Sequence, residues 1–275
     1  MKRRELKDAL RYMRLIGLTD IDLGRSTGEL LAEWQRICNA DHLTFGVEIE
    51  VCYHEHYDRY HVRDALVDGG VQAIVSGYEA QPVWKIVHDS SCGYEIVSPV
   101  LQGNEGLLQV AKVADILANM GLEANRNCGL HLHIGAGHMS VDQMRDIVKR
   151  WINNEEHLDA IQPRSRRSSN PYCRSAKGYF DMDGLNKAQT VSDLANAQED
   201  RYCKINLRSF QRHGTIEFRH HSGTVEADKI VNWIKFIRAF VVLTNEHTIE
   251  DKGFDYLFGT DDVRSFYTQR KEVLC

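Results

Sequence analysis

Four short segments of this chain alternate charged or polar residues with aliphatic ones, and this alternation is the strongest constraint on the fold. They are the segments FGVEIEV, GLHLHIG, KINLRSF and GTIEFRHH. Successive side chains of a β-strand point to opposite faces of the sheet, so each segment would present one polar and one aliphatic face. The pattern predicts a sheet that is packed against other elements on one side, which is typical of antiparallel sheets.

The remaining periodicity adds strands and helices around these segments. Strands are predicted over 44–53, 83–88, 94–98, 129–135, 203–210 and 214–220. Apolar residues at helical spacing predict helices over 104–121, 140–158 and 224–245, together with two short helices in the first forty residues. Because there is no regular βαβα alternation and no glycine-rich phosphate loop, the sequence predicts an α+β fold on a largely antiparallel sheet.

Composition excludes several classes of protein. The 275 residues are 43% hydrophobic and 27% charged, and no run reaches the roughly eighteen apolar residues of a membrane span. The net charge of −5 gives no general attraction to nucleic acid, and the charged N-terminal segment is unlike a secretory signal. We therefore expect a cytoplasmic protein without general nucleic-acid or membrane binding. The seven cysteines never form a C-x-x-C pair, which argues against a disulfide framework or a thiolate zinc site and predicts reduced, mostly buried thiols.

The residues on the predicted polar face are unusual for a surface that merely contacts water. One strand places Glu48 and Glu50 on the same side, and another does so with His131 and His133. Neighbouring carboxylates raise each other's pKa unless a cation lies between them. Oxygen ligands with an imidazole favour Mg²⁺ or Mn²⁺ over a thiolate-bound metal. For any single strand, an ordinary solvent-facing surface stays open as the alternative.

Five motifs follow one another in a recognisable order, namely FGVEIE, DSSCGYEIVSP, CGLHLHIG, KINLRSF and GTIEFRHHSGT. Together they resemble the amidoligases of the carboxylate–amine ligase superfamily, relatives of glutamine synthetase and glutamate–cysteine ligase, over about residues 43–245. The resemblance implies a curved, largely antiparallel sheet with helices on its convex side and with ATP and divalent metals on its concave face. It also implies that ATP phosphorylates a carboxylate to an acyl phosphate, which an amine attacks to form an amide.

The resemblance also implies roles for individual residues. Its metal ligands would be Glu48, Glu50, Glu95, His131 and Glu217. His133 resembles the imidazole that approaches the nucleotide phosphates, and Arg219 the arginine that neutralises the transferred phosphate. Glu50 is also expected to be essential for catalysis. The two imidazoles would then share a face because that face holds metal and nucleotide.

Further polar side chains are candidates for nucleotide binding. The segment KINLRSF places Lys204, Asn206 and Arg208 on one face, opposite its aliphatic residues. We assign all three to the nucleotide, since ammonium and guanidinium groups hold phosphate oxygens. The alternative for Lys204 is an ordinary salt bridge to the strand glutamates.

A basic segment, PRSRRSSNPYCR, follows the second predicted helix. Its functional interpretation is a loop that closes over ATP or the carboxylate substrate. Arg164 and Arg174 are its candidate catalytic residues. A solvated surface loop is the alternative.

The predicted organisation is a helical leader over 1–42, a catalytic domain over 43–245 and a helical appendage over 246–275. The leading hypothesis is an ATP- and Mg²⁺- or Mn²⁺-dependent ligase that joins a small-molecule or peptide carboxylate to an amine. A guanidino-kinase-like phosphotransferase, a zinc hydrolase using His131 and His133, and a non-catalytic binding protein stay open. The sequence assigns neither the substrates nor the oligomeric state.

Overall fold

The structure is a computed structural model that describes residues 2–15, 23–31, 42–77, 79–167, 170–242, 257 and 261–274. The strands are β1 Thr44–Cys52, β2 Ala73–Val75, β3 Trp84–Asp89, β4 Gly93–Val97, β5 Leu101–Gln102, β6 Gly129–Gly135, β7 Ile205–Asn206 and β8 Thr215–Ser222. The helices are α1 Arg3–Leu15, α2 Arg59–Asp68, α3 Gly103–Asn119, α4 Val141–Ala160, α5 Ala176–Tyr179, α6 Met182–Lys187, α7 Val191–Asn196, α8 Ser209–His213, α9 Ala227–Val242 and α10 Asp261–Leu274. A 3-10 helix spans Arg164–Arg166.

The strands form one open sheet in the order β2-β3-β4-β1-β6-β8-β7, and β5 pairs with β1 beside this path. Among the described strands, β2 and β3 are parallel and the other pairs are antiparallel. The long strand β1 lies near the centre, between β4 and β6. The structure thus confirms a mixed fold on a mostly antiparallel sheet.

The aliphatic face of the sheet forms the main core. Val47, Ile49 and Val51 of β1 are buried on this face, as the alternation predicts. Trp151 of α4 packs on Phe218 of β8, with ring centroids 5.4 Å apart. Helices α3, α4 and α9 contribute further buried residues to the same core. Helix packing on this face leaves the opposite, polar face of the central strands available for a site.

The three long predicted helices are present, and their ends have physical causes. A capping box between Ser140 and Gln143 begins α4 by satisfying backbone N–H groups that the first turn leaves free. Helix α3 ends before Gly121, whose φ of 75° is costly for residues with a Cβ atom. These local signals are visible in the sequence, so the helices could be predicted without tertiary information.

The strand predicted over 203–210 is wrong over most of its length. Strand β7 contains two residues, and helix α8 begins soon after it. The side-chain oxygen of Asn206 accepts a hydrogen bond from the backbone N–H of Arg208 at 2.9 Å. Such a bond to the residue two positions ahead favours a turn over a strand.

The N-terminal segment has its own small cluster. Leu6 and Leu10 of α1 pack with Leu30, separately from the main core. Residues 27–31 are helical, as predicted. The rest of the segment that was predicted to form the second leader helix lies outside the described residues. The boundaries of the leader, the catalytic domain and the appendage stay predictions.

The described helices do not include one long and apolar enough to cross a bilayer. The five cysteines within the described residues are all free, and four of them are buried. The buried, unpaired thiols agree with the expectation for the cysteines within the described residues.

Truncating the aliphatic face should destabilise the whole domain. Leu132 of β6 is fully buried. We expect Leu132→Ala to lower the free energy of unfolding by about 2–5 kcal/mol, because it removes packed methyl groups and leaves a cavity. Urea denaturation at unchanged m-value would measure the loss.

Leu108→Ala is the matched control, since Leu108 is 71% exposed. It should change the free energy of unfolding by less than about 0.5 kcal/mol. Equal effects of the two substitutions would contradict the assignment of the core face.

Candidate functional site

The polar face brings together acidic and imidazole side chains from four strands. We call this set the polar-face cluster: Glu48, Glu50, Glu95, His131, His133 and Glu217. Its members meet because of the sheet register. Glu50 of β1 lies opposite Glu95 of β4, and Glu48 lies opposite His131 of β6. One strand further, His133 lies opposite Glu217 of β8.

His131 is at the centre of the cluster. Its Nδ1 lies 3.0 Å from Oε2 of Glu48 and 3.8 Å from Oε1 of Glu217. Its Nε2 lies 3.5 Å from Oε1 of Glu50. The imidazole is buried, so one ring contacts three carboxylates from two different strands with little solvent between them.

His133 is held by a second set of contacts. Its Nε2 lies 3.3 Å from Oε1 of Glu48. Its Nδ1 lies 2.8 Å from Thr215 Oγ1 and 3.3 Å from Ser209 Oγ. Burial alone would lower the pKa of His133, but the Glu48 carboxylate outweighs it and raises that pKa above its ordinary value.

The carboxylates of the cluster have different electrostatic environments. Burial, and next the negative charge of Glu48, raise the pKa of Glu95 well above its ordinary value, with a contribution from Glu50. For Glu48, burial acts in the same direction, but His133 and His131 outweigh it and hold its pKa well below the ordinary value. The Glu95 side of the cluster is therefore short of positive charge.

Glu217 is positioned by two neighbours. Asn206 donates a hydrogen bond from Nδ2 to Oε2 at 2.6 Å, and Arg219 donates from Nη1 to Oε1. Burial tends to raise the pKa of Glu217, but Arg219, His133 and His131 together outweigh this effect and the pKa is lowered. The Arg219 guanidinium also lies over the ring of Tyr202, 5.9 Å from its centroid. Asn206, Glu217 and Arg219 thus form one connected group at the edge of the cluster.

The donor atoms of the cluster fit a hard divalent cation. Two overlapping groups each have ligand atoms within 4.8 Å of one another, Glu48–Glu95–His131 and Glu48–His133–Glu217. Carboxylate oxygens with an occasional imidazole suit Mg²⁺ or Mn²⁺. A divalent cation would also neutralise the negative charge of the buried carboxylates. The donor atoms therefore fit such a metal.

Lys204 lies elsewhere, which corrects the expectation that it faces the nucleotide. Its ammonium group is fully buried and lies 2.7 Å from carboxylate oxygens of both Glu155 and Asp159 on α4. Lys204 therefore forms an ion pair, as in the alternative interpretation, but with helix residues instead of the strand glutamates. Strand β7 begins only at Ile205, so Lys204 lies outside the paired residues and does not share a face with Asn206.

Two of the three other predicted basic residues are also held by local partners. Arg174 pairs with Asp200 and lies over the ring of Tyr179. Arg208 is exposed and donates from Nε to the backbone oxygen of Gln198 at 3.0 Å. Arg164 is exposed at the start of the 3-10 helix. The structure does not bring these three guanidinium groups into the polar-face cluster, so their predicted roles stay predictions.

Two basic residues near the cluster escaped the sequence-based assignment. Arg166 is buried and donates from Nη2 to the backbone oxygen of Arg219. Lys85 of β3 is buried, and its charge acts on Glu48 and Glu95. The alternation of the segment WKIVHD could have placed Lys85 on the polar face, but Arg166 sits in a loop whose path no periodicity specifies.

Gly129 offers a test of the site that removes no charged group. A Cβ atom at Gly129 would lie 2.8 Å from His131 Nε2 and 3.0 Å from Arg166 Nη2. We expect Gly129→Ala to displace the His131 ring and weaken Mn²⁺ binding by about tenfold or more, as loss of positioning contacts does at metal sites. Isothermal titration calorimetry would measure the affinity. Gly137→Ala is the control, because nothing lies within 4 Å of its Cβ position, and equal affinities of the two variants would argue against a metal at His131.

The Lys204 ion pair predicts a loss of stability. Lys204→Met would leave Glu155 and Asp159 without their cation, and we expect the free energy of unfolding to fall by about 3–5 kcal/mol. Lys229→Met is the control, because Lys229 pairs with Glu226 at the surface and such pairs contribute at most about 1 kcal/mol. Urea denaturation compares the two variants. A Lys204→Met protein as stable as the wild type would contradict a structural role.

Comparisons with known proteins identify the family of this chain. Residues 41–241 match the model of a family described as "Putative amidoligase enzyme". The chain is also similar, at 12% identity and a TM-score of 0.43, to a crystal structure of a bifunctional glutathione synthetase from Pasteurella multocida. That similarity covers 89% of this chain but 42% of the other, so this chain spans less than half of that protein's length. A search of curated proteins finds no match. The family match covers more than half of the chain and confirms the family that its motifs indicate: the chain belongs to the amidoligase family.

Proposed function

We propose that this protein is an ATP-dependent ligase that joins a carboxylate to an amine. In the proposed reaction, ATP phosphorylates the carboxylate to an acyl phosphate and releases ADP. The amine then attacks the acyl carbon, and phosphate leaves as the amide forms. The observation that carries the proposal is the polar-face cluster, which lies within the residues that match the amidoligase family. The proposed partners are a small-molecule or peptide carboxylate and an amine.

The acidic members of the cluster would hold the cation that ATP chemistry requires. The proposed ligands are Glu48, Glu50, Glu95, His131 and Glu217. A bound Mg²⁺ would neutralise phosphate charge during phosphoryl transfer. The protein's contribution is positional, because Glu50 is fixed by the backbone N–H of Gly129 at 2.6 Å and Glu217 by Asn206. Ligands that are already oriented need little rearrangement on binding.

The arginines beside the cluster would hold phosphate oxygens. Arg219 is nearly buried and oriented by Glu217 below it and by Tyr202 at its side. A guanidinium group offers a planar fork of donors that matches phosphate oxygens. Arg166 would support Arg219, since it donates to the Arg219 backbone oxygen. Arg219 is therefore the proposed phosphate-binding residue, and Arg166 a positioning residue.

His133 would contribute a hydrogen-bond donor next to the cation. Contacts with Thr215 and Ser209 hold Nδ1, while Nε2 faces Glu48. The hydrogen bond at Nδ1 orients the ring, while the buried Nε2 has no hydrogen-bond partner among the described residues. We propose that this orientation lets the imidazole bind a phosphate oxygen when nucleotide is present.

The proposal predicts ADP formation that depends on an amine. With ATP, Mg²⁺ and a panel of carboxylates and amines, ADP release should require both a carboxylate and an amine. Glu50→Gln and Glu217→Gln should reduce the rate by at least about a hundredfold, since each removes a charged group held at the metal site. Glu105→Gln is the control, because Glu105 is exposed in the first turn of α3.

The products decide between this function and its alternatives. Mass spectrometry should find an amide, whereas a phosphorylated guanidino compound would favour a phosphotransferase. Tightly bound zinc without nucleotide binding would favour the hydrolase. Absence of amine-dependent ADP with every tested pair would count against the ligase.

A further inference from the structure

Three cysteines that are far apart in the sequence meet beside the polar-face cluster. Cys52 ends β1, Cys92 lies in the turn between β3 and β4, and Cys128 directly precedes β6. The Sγ atoms of Cys52 and Cys128 lie 3.8 Å apart. Sequence spacing predicts separate, unrelated thiols, because none of the three belongs to a C-x-x-C pair. The sheet pairing of β1 with β4 and β6 brings them together.

Cys52 and Cys128 differ in exposure and in acidity, because burial raises the pKa of Cys52 whereas the pKa of Cys128 is lowered. Cys52 is partly exposed, whereas Cys128 is fully buried. The pKa of Cys128 is lowered to about 7, mainly because Cys92 donates a hydrogen bond to its sulfur, which outweighs the effect of burial. A substantial share of Cys128 is therefore thiolate at neutral pH, and thiolates are the reactive form of cysteine. Cys52 is the member of the pair that a dissolved oxidant reaches first.

We propose that Cys52 and Cys128 are a redox modification site that forms an intramolecular disulfide when the protein meets hydrogen peroxide. A disulfide has an S–S length of about 2.05 Å, so the two sulfurs must approach by about 1.8 Å from their present separation. Both residues lie at strand ends, since Cys52 is the last residue of β1 and Cys128 directly precedes β6.

The reaction balances with peroxide as the oxidant. The Cys52 thiol releases its proton, its sulfur attacks one peroxide oxygen and the O–O bond breaks. The departing hydroxide takes up that proton as water, and Cys52 becomes a sulfenic acid. The Cys128 thiolate then attacks the Cys52 sulfur, the S–S bond forms, and the S–O bond breaks with loss of a second hydroxide. Overall, two thiols lose two electrons and two protons, and one peroxide becomes two waters.

The position of the bridge suggests its consequence. Cys128 precedes Gly129, whose N–H donates to Oε2 of Glu50, and Cys52 is two residues beyond Glu50 on β1. Drawing the two sulfurs together shifts the Gly129 N–H relative to the carboxylate that it holds. Oxidation should therefore weaken cation binding at Glu50. This consequence rests on the proposed function, whereas the bridge itself does not.

Mass spectrometry tests the bridge without any assay of activity. Peroxide-treated protein, digested with trypsin without reduction, should yield a peptide that joins residues 37–59 to residues 127–145. Fragment ions must place the bond at Cys52, because Cys38 lies in the same tryptic peptide. Cys52→Ser should abolish the bridge, and Cys92→Ser, the matched control, should retain it. A bond from Cys128 to Cys92 or to Cys38, or no bond at all, would overturn the proposal.

Calorimetry tests the consequence separately. Reduced and oxidised protein are titrated with Mn²⁺, and we expect oxidation to weaken binding by about tenfold, as displacement of a ligand's positioning contact does. A thiol reductant should restore the affinity, and Cys52→Ser protein should not respond to peroxide. Unchanged affinity in bridged protein would overturn the coupling to Glu50. A reduced protein that binds no Mn²⁺, yet forms the bridge, would count against the proposed function and leave the modification site standing.

Discussion

The hydrogen-bond register of β1 against β4 and β6 determines which side chains meet on the polar face. It places Glu50 beside Glu95 and Glu48 beside His131. Side chains alternate along a strand, so a shift of one residue would turn these groups into the aliphatic core. The packing of Val47 and Ile49 on the opposite face opposes such a shift, because it would bring both into water. The core therefore maintains the geometry of the site.

The same register concentrates negative charge where little solvent is present. Arg219 and the two imidazoles stabilise Glu48 and Glu217 in their ionised forms. For Glu95, burial and the negative charge of Glu48 outweigh the charge of Lys85, and its pKa rises instead. An uncompensated carboxylate in a buried position lowers stability. A divalent cation would resolve this imbalance, which links the electrostatics of the fold to the phosphoryl chemistry that we propose.

Sequence-based prediction succeeded where the sequence pattern within a single strand or helix is enough to place its side chains or its ends. Period-two alternation correctly assigned Glu48, His131 and Glu217 to one face, and the Ser140–Gln143 capping box located the start of α4. It was wrong at Lys204, because β7 begins only at Ile205 and Lys204, outside the paired residues, forms ion pairs with Glu155 and Asp159. Sequence-based prediction also selected Arg164 and Arg174 from the basic loop. In the structure, Arg166 is the loop residue that donates a hydrogen bond to the backbone oxygen of Arg219.

The sequence by itself determined the chemistry of the polar face, the family and the main helices, because these depend on residue type and on short-range periodicity. Tertiary structure alone decided which cysteines became neighbours, which arginine lies beside Arg219 and which carboxylate has a raised pKa. Those outcomes depend on loop paths and on pairing between strands that are far apart in the chain. Local sequence patterns contain no information on loop paths or on distant strand pairing. The interactions that select both form only when distant segments pack on the shared core.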